Sequence, residues 1–74
     1  MNSKLVAMID RLKRLVDAND AKETYNFERE GVVQATVSYI PEEEAFSIRY
    51  PDQKDTALFD DIDLVAIEVF DLIY

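Results

Sequence analysis

The spacing of apolar residues along this chain changes period twice. Leu5, Met8, Ile9, Leu12, Leu15 and Val16 recur at steps of three and four. From there Tyr25 and Phe27, then Val33, Ala35, Val37 and Tyr39, then Phe46, Ile48 and Tyr50 alternate with polar neighbours. Over residues 60–74 the steps of three and four return. A helix turns every third or fourth side chain to one face, and a strand every second one. The pattern therefore predicts an α+β fold in the order α-β-β-β(-β)-α. Its core is a three- to four-stranded antiparallel meander, with two helices packed on one face.

Local signals set the boundaries. Asn2 or Ser3 can cap the first helix, and Asn19-Asp20 ends its periodicity with residues that favour turns. Glu30-Gly31 supplies the first turn between strands, where the only glycine takes a positive φ, and residues 41–44 supply the second. Residues 51–55 bend the chain before a short extended piece at residues 56–59, the least regular of the strands. Turns this short connect only antiparallel neighbours, so one sheet face is apolar. Asn26, Glu28, Gln34, Thr36, Ser38, Ser47 and Arg49 are expected on the other, polar face. The second helix is capped by Asp60 or Asp61, with Asp63 in its first turn where the helix dipole favours a negative charge.

A length of 74 residues leaves room for one core, so residues 1–74 are read as a single domain. The chain contains neither Cys nor His. This excludes disulfides, thiolate zinc sites, thiol nucleophiles and histidine general bases, and no cofactor is expected. The net charge of -8 is uneven, because Lys4, Arg11, Lys13 and Arg14 outweigh Asp10 and Asp17 near the start while the remainder is strongly acidic. Nucleic-acid binding needs clustered positive charge, so this balance disfavours it. Residues 1–10 show no apolar signal-peptide core, and no run of about 18 apolar residues could span a membrane. A cytoplasmic protein is expected.

The run Phe59-Asp60-Asp61-Ile62-Asp63-Leu64-Val65-Ala66-Ile67-Glu68-Val69-Phe70-Asp71-Leu72 resembles the ending of the YkuJ-like family of small proteins from low-GC Gram-positive bacteria. Ile9-Asp10-Arg11-Leu12, Tyr25-Asn26-Phe27-Glu28 and Val37-Ser38-Tyr39 are similar to their counterparts there, so the resemblance covers nearly the whole chain. It implies a central antiparallel sheet flanked by helices. The family is one of unknown function, and the resemblance implies no catalytic or binding residues.

The functional candidates compete with structural readings. Asp60, Asp61 and Asp63 lack the spacing of a calcium loop and suit helix capping better. Glu42, Glu43 and Glu44 follow Pro41 in a turn, where solvent keeps carboxylates ionised. No nucleophile with a base and no glycine-rich phosphate loop is present, so no enzyme is expected. Lys4, Arg11 and Arg14 fall near one edge of the first helix, where they could contact an anion or simply offset the acidic remainder. Tyr25, Tyr39, Tyr50, Phe27 and Phe46 share the parity of the aliphatic residues, which makes them core and not a base-stacking platform.

The second helix carries an apolar stripe at Ile62, Val65, Val69, Leu72 and Ile73, enough to cover the sheet. Ile67, Phe70 and Tyr74 form a second stripe where a surface helix should be polar. Either the first helix or the chain's own loops cover this stripe, or it pairs with its own copy, from which a small domain without disulfide or metal gains most. The expected function is a protein-protein interaction or scaffold module that forms a homodimer through Ile67, Phe70 and Tyr74, with a protein partner still to be identified. An RNA-associated regulator using Lys4, Arg11 and Arg14, or a small-molecule sensor, is the alternative.

Overall fold

A computed structural model describes residues 3–74 of the chain. Its elements are α1 (Ser3–Ala18), β1 (Thr24–Arg29), β2 (Val32–Ile40), β3 (Ala45–Arg49), β4 (Thr56–Phe59) and α2 (Ile62–Ile73). The strands form one sheet in the order β1-β2-β3-β4, every neighbouring pair antiparallel. The short piece at residues 56–59 is thus a true fourth strand.

Side-chain chemistry explains where each element stops. Ser3 lies inside α1, so it does not cap the helix from outside, and Asn2 lies outside the described residues. Asn19 closes α1 in the left-handed region (φ 52°), with its N–H donating to the carbonyls of Leu15 and Val16. Asn tolerates that conformation better than most residues. The β1–β2 turn takes positive φ at both Glu30 (53°) and Gly31 (80°). Positive φ at both central residues is the type I′ pattern, whose twist matches the flanking strands, so the glycine alone does not define this turn. At the start of α2 the choice between two aspartates is resolved for Asp61, whose Oδ1 accepts from the Asp63 N–H at 2.8 Å. Such a cap contributes about 1 kcal/mol.

Cross-strand pairing sorts the sheet into two faces. The inner ladder joins Tyr25 to Val37, Val37 to Ile48, Tyr39 to Phe46 and Phe46 to Phe59. The outer ladder joins Asn26 to Thr36, Thr36 to Arg49 and Ser38 to Ser47, and the Thr36 hydroxyl donates to Asn26 Oδ1 at 2.8 Å. Leu58 adds one exposed apolar side chain to this outer face, opposite Ser47.

The alternation breaks at one place. Phe27 pairs with Ala35 but Glu28 pairs with Val33, so Gln34 is an extra residue bulged out of β2. Val33, expected beside Ala35 on the apolar face, instead stands opposite Glu28 and is only half-buried. Gln34, expected on the polar face, turns out of the ladder, and its side-chain amide donates to the Val32 carbonyl. A bulge shifts everything beyond it by one residue, which reverses the faces of the strand's first residues.

Both helices cover the inner face. Met8, Leu12 and Leu15 of α1 and Val65, Ala66 and Val69 of α2 close over Phe27, Ala35, Val37, Phe46 and Ile48 in one buried cluster. The result is a two-layer sandwich of 32 × 31 × 17 Å, thin in one direction and broad in the other two.

Candidate functional site

The helix α2 has more apolar residues than its buried face can take. Val65, Ala66 and Val69 point into the core, and Ile62, Leu72 and Ile73 pack along its margin. These include the whole of the stripe expected to cover the sheet, with Ala66 added. The second stripe is divided. Phe70 is half-buried and packs against the core, so it is a core-margin residue and not a free one. Ile67 and Tyr74 remain 53% and 56% exposed, and Leu64, at 52%, joins them. Leu64, Ile67 and Tyr74 stand at i, i+3 and i+10, which places them along one outward face. Phe70 reaches that face only through its ring contact with Tyr74, whose centroid is 5.0 Å away.

Acidic residues frame this patch, and basic residues decorate the neighbouring helix. Asp63 and Asp71 lie exposed on α2, which has no basic residue at all. On α1 the cations Lys4, Arg11 and Arg14 do not gather into one anion site. Lys4 Nζ sits 4.8 Å from the Tyr74 ring centroid, and Arg11 lies over the Tyr25 ring of β1 at 5.2 Å. Each such contact is worth about 0.5–1 kcal/mol at an exposed site. Arg14 lines, with Arg11, Glu23 and Thr24, a shallow cleft of about 430 Å³ between α1 and the start of β1.

The remaining carboxylates serve the fold or face water. Asp61 is spent on the α2 cap, and Glu42, Glu43 and Glu44 are exposed in their turn. Among the described residues, no group of three carboxylates is placed to hold a metal ion. Tyr25, Phe27, Tyr39, Phe46 and Tyr50 lie in the core or packed against it, as their parity predicts.

One polar pair connects the sheet to α2. The Tyr50 hydroxyl donates to Glu68 Oε1 at 3.0 Å, across eighteen residues of sequence. Burial, and then the hydrogen bond to Glu68 and its charge, push the Tyr50 hydroxyl up from 10.0 to about 12. A raised value means that the fold favours the protonated phenol. The resulting stabilisation is intact below pH 10.0 and is lost as the pH rises through about 12. In an alkaline titration followed by tyrosinate absorbance, a step near 12 is expected; it should vanish in Tyr50→Phe and move to lower pH in Glu68→Gln. A titration curve that Tyr50→Phe leaves unchanged near that pH would contradict the pairing.

Comparison with known proteins agrees with this architecture. The X-ray structure of the YkuJ protein from Bacillus subtilis is similar, with a TM-score of 0.81 and 30% sequence identity over 95% of this chain and 96% of that one. No curated protein matches the chain. The family model described as "Protein of unknown function (DUF1797)" matches residues 8–73, from within α1 to the last residue of α2. This span takes in every strand and all of the core, and the chain belongs to that DUF1797 family.

Proposed function

We propose that this protein is an interaction module and not an enzyme, that it acts in the cytoplasm, and that its first partner is a second copy of itself. The observation that carries the reading is the outward face of α2, where Leu64, Ile67 and Tyr74 are each more than half exposed. Contiguous exposed apolar patches on a small domain mark interaction surfaces, whereas single apolar residues do not. Two further features favour a copy of the same chain as occupant. The helical face belongs to a sandwich 32 × 31 Å across, broad enough for the ~800 Å² per partner that a stable dimer buries. The helices also carry opposite charge, with Asp63 and Asp71 on α2 and Lys13 and Arg14 on α1. A two-fold axis that lays α2 of each copy along α1 of the other pairs those charges twice. Val6 of α1, itself partly exposed, then meets the apolar patch. The RNA-associated alternative draws less support from the same surface, because Lys4 and Arg11 are already engaged over aromatic rings.

Sedimentation equilibrium tests the reading. At tens of micromolar, roughly the range where a micromolar dimer is populated, the unmodified protein should run at twice its 8.6 kDa chain mass. Ile67→Asp should run as a monomer. A monomer across that range for the unmodified chain would sink the proposal.

A further inference from the structure

An open groove of about 570 Å³ lies between the start of β2, the turn that follows β3, and the C-terminal half of α2. The bulged segment of β2 forms part of its wall. With Gln34 turned out of the ladder, its amide joins Val32, Tyr50, Asp52, Glu68 and Leu72 in the wall.

The charge of this lining is of one sign. Asp52 and Glu68 contribute carboxylates, and among the described residues no basic side chain reaches the groove. Tyr50 donates its one proton to Glu68 Oε1, and among the described residues no donor meets the second carboxylate oxygen of Glu68. The apolar part of the wall is equally open, with Val32 60% exposed at the rim and Leu72 half-buried on α2. A half-buried carboxylate beside apolar surface has lost part of its hydration and has only a neutral phenol in return. Anions are repelled by the two carboxylates and by the net charge of -8. Neutral ligands leave Glu68 without a counter-charge.

We propose that this groove binds a small organic cation, a primary ammonium on an aliphatic stem. The head group donates to the free oxygen of Glu68 and to Asp52, the Tyr50 ring offers its face to the charge, and the stem lies along Val32 and Leu72. The same chemistry is carried by a free alkyl diamine and by a lysine side chain on another protein. The groove is separate from the outward patch of Leu64, Ile67 and Tyr74, so this proposal does not depend on self-association.

Titration of the unmodified chain at low salt, followed by nitrogen-edited amide spectra, tests the site with two probes: putrescine and N-acetyl-lysine methylamide. Shifts are expected to concentrate at Gln34, Tyr50, Asp52 and Glu68 and to saturate at about millimolar probe or below. Glu68→Gln, which keeps an acceptor for the Tyr50 hydroxyl, should weaken binding about tenfold. Glu43→Gln removes the same charge from an exposed turn and should change nothing. Saturation by putrescine alone assigns the site to free diamines, and saturation by the lysine derivative assigns it to a protein side chain; either supports the groove. Three results would overturn it: no saturable shift with either probe up to ~10 mM, shifts spread evenly over the acidic surface, or equal weakening by the two Glu→Gln changes.

Discussion

Phe27→Ala is expected to cost about 3–5 kcal/mol and to leave the chain largely unfolded at room temperature. Phe27 is the largest of the fully buried side chains. It projects from the middle of β1 against Ala35, which is also buried and too small to move into the space left behind. Its ring lies 4.8 Å from that of Tyr25, so the substitution also removes an aromatic contact on the same strand. Cost rises with the cavity that neighbours cannot fill, and the residue paired across the strand contributes only a methyl group. A domain of 74 residues has little to lose, since typical stabilities are only ~5–15 kcal/mol and small cores fall at the low end. Urea unfolding monitored by circular dichroism measures the loss. A decrease below ~1.5 kcal/mol would mean that the β1 end of the core collapses onto the vacancy, contrary to the close packing assigned to it.

The elements were legible in the sequence because each one buries a single face. Met8, Leu12 and Leu15 are buried at helical spacing, and Phe46 and Ile48 at strand spacing, so period and burial coincide. The turns were legible because a positive φ or a fixed proline ring demands particular residues, as at Gly31 and Pro41. The bulge was not legible. Val33, Ala35 and Val37 alternate without interruption, and nothing in their composition shows that the partner strand slips by one residue at Glu28. The groove was not legible either, because Tyr50 and Glu68 come together only when β3 and α2 are packed.

The outward face of α2 was half legible for a different reason. In the run of residues 62–73 nearly every helical direction is apolar, so periodicity alone leaves the rotation of the helix about its axis undetermined. Ala66 decides it. Its burial in the core beside Val65 and Val69 fixes the rotation, which leaves Phe70 at the margin and Leu64 on the surface. Alanine contributes little to any hydrophobicity pattern, so the residue that sets the geometry was the one with the weakest signal.

Ala66 and Ile67 therefore give the sharpest contrast available in this molecule. They are adjacent in sequence and about 100° apart around the helix. Ala66 is 1% exposed and Ile67 is 53% exposed. Ala66→Asp places a carboxylate between Val65 and Val69, both fully buried, and no basic side chain lies on α2 to meet it. An unpaired buried charge belongs to the short list of changes that cost about 4 kcal/mol or more, so this variant should lose its cooperative unfolding transition. Ile67→Asp introduces the same side chain into solvent, where the cost should stay within about 1 kcal/mol, most of it from the weaker helix propensity of aspartate. Circular dichroism with urea titration of both variants gives the comparison. Reversal of the order, with Ala66→Asp folded and Ile67→Asp unfolded, would mean that α2 is rotated by about one residue from the orientation described, and the exposed patch would then belong to the core. With the expected order, the fold survives Ile67→Asp, and any fall in sedimentation mass in that variant reports the loss of a contact between copies and not the loss of structure.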